Sequence, residues 1–366
     1  MSTPASLVVL IPSFNDWAAL QLLLKRFDQV AFTAAWQVSA VIVDDASTQP
    51  LPDGWPNGCG KALASLDVLH LRSNLGHQRA IAIGLYHVHE FTHADAVAVM
   101  DGDGEDRVED LPALLAEFET GDRREAVFAA RGKRMESATF QIFYKAYRIV
   151  HRLFTGIEVR VGNFSILPRE AVMRLMSVPD LWNHYAAAVY RARLPRRLLP
   201  LARGRRLAGE SKMNFVSLLT HGLNAMSVFS EQVSARLLAA TVAFAALTSG
   251  IGIAAGIGWL AFGVQFPSWM IITAAGVGAL ALQALGFATV FVFTIANRRT
   301  ATGFILQRDA PYFILNNTKL SIPTRDTEPT RHIAAEQLQK LGGVLTDWDQ
   351  ARTARPSAIQ KPEVTA

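Results

Sequence analysis

From Leu237 to Asn297 the chain carries no charged side chain. Within that block, Leu237–Val264 and Trp269–Ala296 each exceed the ~20 residues an α-helix needs to cross a bilayer. Gln265-Phe266-Pro267-Ser268 interrupts them with a turn. Such a stretch folds either as a helical hairpin in lipid or as the buried hairpin of a large soluble core. Two uncharged segments of this length favour lipid. Arg236 precedes the first span and Arg298-Arg299 follow the second. Cations at both outer ends face the cytoplasm under the positive-inside rule. The expectation is a multi-pass protein of the inner (cytoplasmic) membrane with both termini and its charged regions on the cytoplasmic side. Trp259 and Trp269 would sit at the opposite interface, and Gly252 with Gly256 form a small-xxx-small pair through which a homo-oligomer could pack. The N-terminal apolar run Leu7–Ile11 is too short for a signal sequence and follows no basic region.

Outside the hairpin, short apolar runs alternate with amphipathic stretches. Leu7–Ile11, Val38–Val43, Val68–Leu71, Ala94–Met100 and Ala126–Ala130 read as strands. Trp17–Phe27 and His77–Phe91 read as the helices between them. This alternation predicts an α/β domain with a Rossmann-like, doubly wound, mostly parallel sheet. Ligands of such sheets bind beyond the C-terminal ends of the strands. Asp16, Asp44, Asp45, Asp101 and Asp103 all fall at those ends. The expected organisation is a cytoplasmic α/β domain over 1–210, a juxtamembrane amphipathic helix over 211–236, two membrane helices within 237–297, and a cytoplasmic tail over 298–366, loosely ordered beyond about Thr324. Ala138–Phe154, with Lys145, Arg148 and Arg152 interleaved, reads as another amphipathic helix, beside the membrane or facing the core.

Val97-Ala98-Val99-Met100-Asp101-Gly102-Asp103-Gly104-Glu105-Asp106 joins a buried strand to a tight acidic turn. Carboxylates two apart at a strand end suit a hard divalent cation, Mg²⁺ or Mn²⁺. A calcium EF-hand starting at Asp101 is excluded, since Asp106 stands where that loop needs glycine and Pro112 where it needs a bidentate glutamate. A plain solvated acidic turn stays open. The single cysteine, Cys59, rules out an internal disulfide and a zinc cluster. The net charge is +5, and Arg191, Arg193, Arg196, Arg197, Arg203, Arg205, Arg206 and Lys212 crowd one segment. Beside a membrane span this suits anionic headgroups or phosphates. No recognisable nucleic-acid module accompanies it, so nucleic acid is not the expected partner.

Ile11-Pro12-Ser13-Phe14-Asn15-Asp16, Val43-Asp44-Asp45-Ala46-Ser47, Asn74-Leu75-Gly76-His77-Gln78 and Met100-Asp101-Gly102-Asp103, in this order, resemble glycosyltransferase family 2, which has the GT-A fold. Gly162-Asn163-Phe164 and Arg206-Leu207-Ala208-Gly209-Glu210-Ser211-Lys212 look like the polyprenyl-phosphate branch, relatives of dolichyl-phosphate mannose synthase with two C-terminal membrane helices in bacteria. The resemblance implies that Pro12, Asp16, Asp44, Asp45, Asn74 and Gly76 line the nucleotide pocket. Helix capping by Asp16 and turn-making by Asp44 and Asp45 are the alternatives. It implies that Asp101 and Asp103 bind the metal, with Glu105 as a possible third contact where the family commonly has glutamine. Arg131, Arg134, Arg206, Ser211 and Lys212 would contact phosphates of donor or acceptor, as forked guanidinium donors do well.

The departure is Asn163, where relatives usually carry an active-site aspartate. Ser165 likewise stands where arginine is frequent. An amide is no general base. A phosphate acceptor needs none, because with a second pKa near ~6 it is largely dianionic at neutral pH. The expected activity is therefore inverting, metal-dependent transfer of a sugar from a UDP- or GDP-sugar to a polyprenyl phosphate. Transfer to a hydroxyl acceptor and a non-catalytic, nucleotide-sugar-binding scaffold are the competing readings.

Overall fold

The computed structural model describes residues 3–131, 149, 152–156, 161–209, 222, 224–298 and 304–322. Its centre is an eight-stranded sheet in the order β7-β5-β6-β4-β1-β2-β3-β8. The first half is the predicted one. Strands β1 (Ala5–Ser13), β2 (Trp36–Asp44), β3 (Leu66–Leu71) and β4 (Ala96–Val99) run parallel, linked by α1 (Trp17–Phe27) and α2 (His77–Phe91). Side chains of a strand alternate between faces, and both faces of β1 are dry. Leu7, Val9 and Ile11 pack with Leu20, Leu23 and Leu24 of α1 and with Leu111, Leu114 and Phe118 of α3 (Leu111–Thr120). Val8 and Leu10 pack on the other side with Ile81, Leu85 and Val88 of α2. Burial on both faces explains why these strands read as unbroken apolar runs. Gly84 brings α2 close to the sheet, since a Cβ there would collide with Leu10 and Val43.

The second half is mixed. Strand β6 (Ser165–Pro168) runs antiparallel to both β4 and β5 (Ala126–Arg131), while β7 (Arg196–Leu201) pairs parallel with β5. Helices α4 (Arg169–Met176) and α5 (Tyr185–Arg191) lie between β6 and β7 in sequence. The sheet is therefore a mixed α/β sheet, less parallel than its first four strands imply.

Two long helices follow, α6 (Ser230–Phe262) and α7 (Ser268–Arg298), both long and apolar enough to cross a membrane. Gly263, in the left-handed region at φ 65°, ends α6. Arg191 ties the start of α6 to α5 by pairing with Glu231 at 3.4 Å and with Asp180 at 3.6 Å. Arg236 donates to the Leu153 carbonyl at 2.8 Å.

Beyond the hairpin the sequence predicts only a tail, and the structure differs. The short helix α8 (Leu306–Asp309) leads into β8 (Ile314–Leu320), which adds antiparallel to the free edge of β3. Phe304 stacks on Trp182 at 3.9 Å and Phe313 lies 5.3 Å from the same ring. The compact unit extends to Ile322. Residues 138–148, 150 and 151 of one predicted helix, 211–221 and 223 of the other, and all of the chain after 322, lie outside the described residues.

Candidate active site

The loops after β1, β2 and β4 meet at the C-terminal edge of the sheet. After β4, Met100 still bonds to the Leu10 carbonyl, and the chain then turns. Asp106, which is 2 % exposed, accepts from the Asp101 backbone N–H at 2.9 Å. Asp103 Oδ1 accepts from the Glu105 N–H at 2.9 Å. Gly104 stands at φ 87°, where a side chain would be strained and would also strike Leu207. The turn is thus held by its own acidic residues, and Asp106 is a structural member that the spacing alone did not reveal.

The segment after β7 straps across this turn. The Gly204 and Leu207 N–H groups donate to the Glu105 and Asp103 carbonyls, each at 2.8 Å. Arg206 forks between two carboxylates, Asp103 at 3.0 Å and Asp16 at 2.6 Å. Arg203 pairs with Glu105. Asp16 is therefore no side-chain helix cap, since its carboxylate is on Arg206 and α1 has no side-chain cap bond. The Glu105 carboxylate, expected as a possible third metal contact, is paired with Arg203.

Asp44 and Asp45 end β2 as expected, and their carboxylates build the loops. Asp44 accepts from the Ser47 N–H at 3.0 Å and lies 2.9 Å from His70 Nδ1. Burial works to raise its pKa, but the bonds from His70 and Ser47 outweigh that and hold it below the ordinary carboxylate range. Asp45 accepts from the Leu75 and Gly76 N–H groups at 2.7 and 2.8 Å, and so pins the Asn74-Leu75-Gly76 loop, with Gly76 at φ 89°. Burial leaves Asp45 above its ordinary value despite those bonds. Pro12 is buried within β1, beside Val43.

Asn163 comes from the loop before β6. Its Nδ2 lies 2.9 Å from His77 Nε2 and 3.3 Å from Asp101 Oδ1, and His77 Nε2 is 3.1 Å from the same oxygen. Desolvation pulls the His77 imidazole down, but Asp101 in contact, with Asp106 and Asp103 behind it, leaves it above its ordinary range. His77 lay inside a quoted motif without a role; only a contact across 86 positions of sequence gives it one. Arg131 ends β5. Arg134, Ser211 and Lys212 lie outside the described residues.

Asp101 and Asp103 fit a cation held in part by its substrate. Burial first, then the neighbouring Asp101 carboxylate, lifts Asp103 above its ordinary pKa, while Arg206 and Arg203 oppose this. A dication would relieve that crowding. Among the described residues no group of three or more His, Cys, Asp or Glu is placed to cage a metal. Mg²⁺ is commonly held by one or two carboxylates plus substrate phosphates and water, which matches this donor set.

Residues 8–181 match the model of glycosyl transferase family 2. The chain is 25% identical over 227 residues to a bactoprenol glucosyl transferase of Shigella phage SfX, covering 61% of this chain and 72% of that one. It is also 25% identical over 224 residues to an undecaprenyl-phosphate 4-deoxy-4-formamido-L-arabinose transferase of Klebsiella pneumoniae, covering 58% and 63%. Among solved structures, a mannosyltransferase from Pyrobaculum calidifontis in complex with GDP-Man and Mn²⁺ aligns over 95% of this chain and 82% of its own, at 15% identity and a TM-score of 0.41. By its family match and its relatives the chain is a glycosyltransferase, with residues 8–181 similar to the glycosyl transferase family 2 domain.

Proposed function

We propose that this glycosyltransferase moves a sugar from a nucleotide-sugar to a polyprenyl phosphate at the cytoplasmic face of the inner membrane, with inversion at the anomeric carbon. The observation that carries the reading is the meeting of Asp16, Asp101, Asp103 and Arg206 at the strand ends of a domain continuous with an apolar hairpin. The relatives named for bactoprenol and undecaprenyl phosphate support the acceptor class.

Asp101 and Asp103 would hold a Mg²⁺ or Mn²⁺ ion, which when bound supplies positive charge against the departing nucleoside diphosphate. The remaining work falls to the chain. Arg206, already forked across two carboxylates, offers a permanently charged planar donor to diphosphate oxygens. Asp44 and Asp45 set the walls of the nucleotide pocket by fixing the loops 45–48 and 74–76. The acceptor's phosphate oxygen attacks the anomeric carbon as the bond to the diphosphate breaks, and the diphosphate leaves with the electron pair. An anionic phosphate requires no base, which agrees with an amide at 163. Lys212 and Arg134 are proposed phosphate contacts on the resemblance alone.

The hairpin keeps the enzyme beside its lipid, raising local concentration. The chain path supports a topology with both outer ends on one side. Helix α6 leaves from a domain to which Glu231 is ion-paired, and the chain after α7 returns to β3 of the same sheet. This path supports both outer ends lying on the catalytic side, and Arg236, Arg298 and Arg299 support that side being the cytoplasmic one.

The test is transfer by the full chain in detergent, with polyprenyl phosphate and a panel of radiolabelled UDP- and GDP-sugars, with and without chelator. Labelled lipid phosphate diester that disappears with chelator is expected. Label found only on a hydroxyl acceptor, or none with any donor, would overturn the reading.

A further inference from the structure

Two side chains from separate parts of the chain converge on one oxygen of a third, the Asp101 carboxylate. His77 opens α2, Asn163 precedes β6, and Asp101 Oδ1 lies 3.1 Å from the first and 3.3 Å from the second. Their own separation is 2.9 Å. An amide nitrogen carries two N–H groups, so Asn163 can address Asp101 and His77 together. His77 Nε2 either gives its proton to Asp101 or takes one from Asn163. In the first arrangement the imidazole and the amide both donate to the same oxygen; in the second the amide alone addresses it, and the imidazole holds the amide.

Behind this contact stands a buried brace. Ser165 Oγ donates to the Asn163 carbonyl at 2.9 Å and lies 2.7 Å from the Tyr185 hydroxyl, and both residues are 0 % exposed. The Tyr185 backbone N–H donates to Gln78 Oε1 at 2.6 Å. Gln78 follows His77 in α2. The circuit His77–Asn163–Ser165–Tyr185–Gln78 therefore closes on itself, and Asp101 is the crevice-side group it touches. A hydroxyl pair withdrawn from water is costly unless bonded, so the brace has little freedom to shift.

We propose that His77 and Asn163 are positioning residues that fix the Asp101 carboxylate for the divalent cation, with Ser165 and Tyr185 holding Asn163 in place. Carboxylates that ligate metals are commonly oriented by such outer hydrogen bonds, whose loss costs about 10–100-fold in metal affinity. This rests on the reading of Asp101 as a metal ligand. It also gives the amide at 163 a use that does not depend on proton transfer.

The experiment is Mn²⁺ binding to the detergent-solubilised full chain in the presence of UDP or GDP, read as free Mn²⁺ by electron paramagnetic resonance. His77→Ala and Asn163→Ala are each expected to weaken binding about 10-fold or more. His77→Gln, which restores an N–H donor at that position, is expected to recover most of it, a rescue that loss of mere bulk would not show. Tyr185→Phe should weaken binding by a smaller factor. The two alanine changes combined should cost less than the product of their separate effects, because they share one oxygen. His77→Ala binding Mn²⁺ within two-fold of wild type, or His77→Gln failing as His77→Ala does, overturns the proposal while leaving the function standing. Wild-type protein that binds no Mn²⁺ with either nucleotide overturns the metal reading itself.

Discussion

The catalytic sheet and the helical hairpin use the same kinds of side chain in opposite ways. Leu7, Leu10 and Leu20 are 0 % exposed, whereas Leu260 is 77 %, Phe262 79 % and Phe287 73 % exposed. In the sheet, apolar side chains point inward and polar groups gather at one edge, where each carboxylate described has a partner. In the hairpin, apolar side chains point outward along nearly the whole of both helices. The lesson concerns solvent. Burial of apolar surface drives the first region together in water. The second leaves exposed an apolar surface of an extent that soluble monomers rarely show, the kind a membrane or a protein partner covers.

Four changes would break or sharpen this contrast. The largest effect belongs to the polar edge. Asp103→Ala should lower turnover by at least about 10²–10³-fold, the scale of losing a principal electrostatic contact to a leaving group. The same variant should still fractionate with membranes, and loss of both properties together would argue that the two regions are not separable. Next comes the apolar region. Leu282, in α7, is 69 % exposed. Leu282→Arg should cost about 2.5–3.5 kcal/mol of insertion and move protein out of the membrane pellet. An unchanged pellet fraction would remove lipid from the account.

Third is the pH dependence of the core. His87 is buried in α2, and desolvation, helped by Lys319 of β8, lowers its pKa from 6.5 to about 4. Below pH 6.5 the unfolded chain takes up a proton that the folded chain refuses. Stability from this group therefore falls as pH drops from 6.5 to about 4 and levels off beneath that. The total is about 3 kcal/mol. Unfolding in detergent across that range should show the slope, and His87→Leu should flatten it. The smallest effect is at Ala46, which sits at φ 55° in the turn after β2. Ala46→Gly should stabilise the catalytic domain by about 1 kcal/mol, since an L side chain is strained there. A lower melting temperature would show that the methyl group packs usefully.

Much of the sheet's first half was legible because β1, β4 and the second half of β2 are dry on both faces and read as apolar runs. Of the remainder only β5 was, as the run Ala126–Ala130. Strand β8 has the sequence Ile-Leu-Asn-Asn-Thr-Lys-Leu, with one buried residue, Ile314, at its start. It is a strand because β3 offers an open edge of backbone donors and acceptors, which composition does not announce. Strand β7 carries Arg196, Arg197 and Pro200, all poor signals for a sheet. Similar logic divides the site. Asp101, Asp103, Asp16 and Arg206 were visible as motifs, and they do meet. The contacts of His77 with Asn163, of Arg203 with Glu105 and of Asp106 with its own turn were not. The first two are tertiary pairings between distant segments, and the third depends on how one loop closes.

The order of motifs, the alternation of runs and the uncharged block were enough, by themselves, to settle an α/β glycosyltransferase domain joined to a hairpin of bilayer length. These are local properties, written in hydrophobic period and residue type, and they survive without knowledge of any long-range contact. Only the tertiary structure decided that Arg206 forks across two loops, that Glu105 pairs with Arg203, and that the chain after the hairpin comes back to complete the sheet. Each of those outcomes is a choice among partners far apart in sequence, and it is made by which charges and open edges the fold brings within reach.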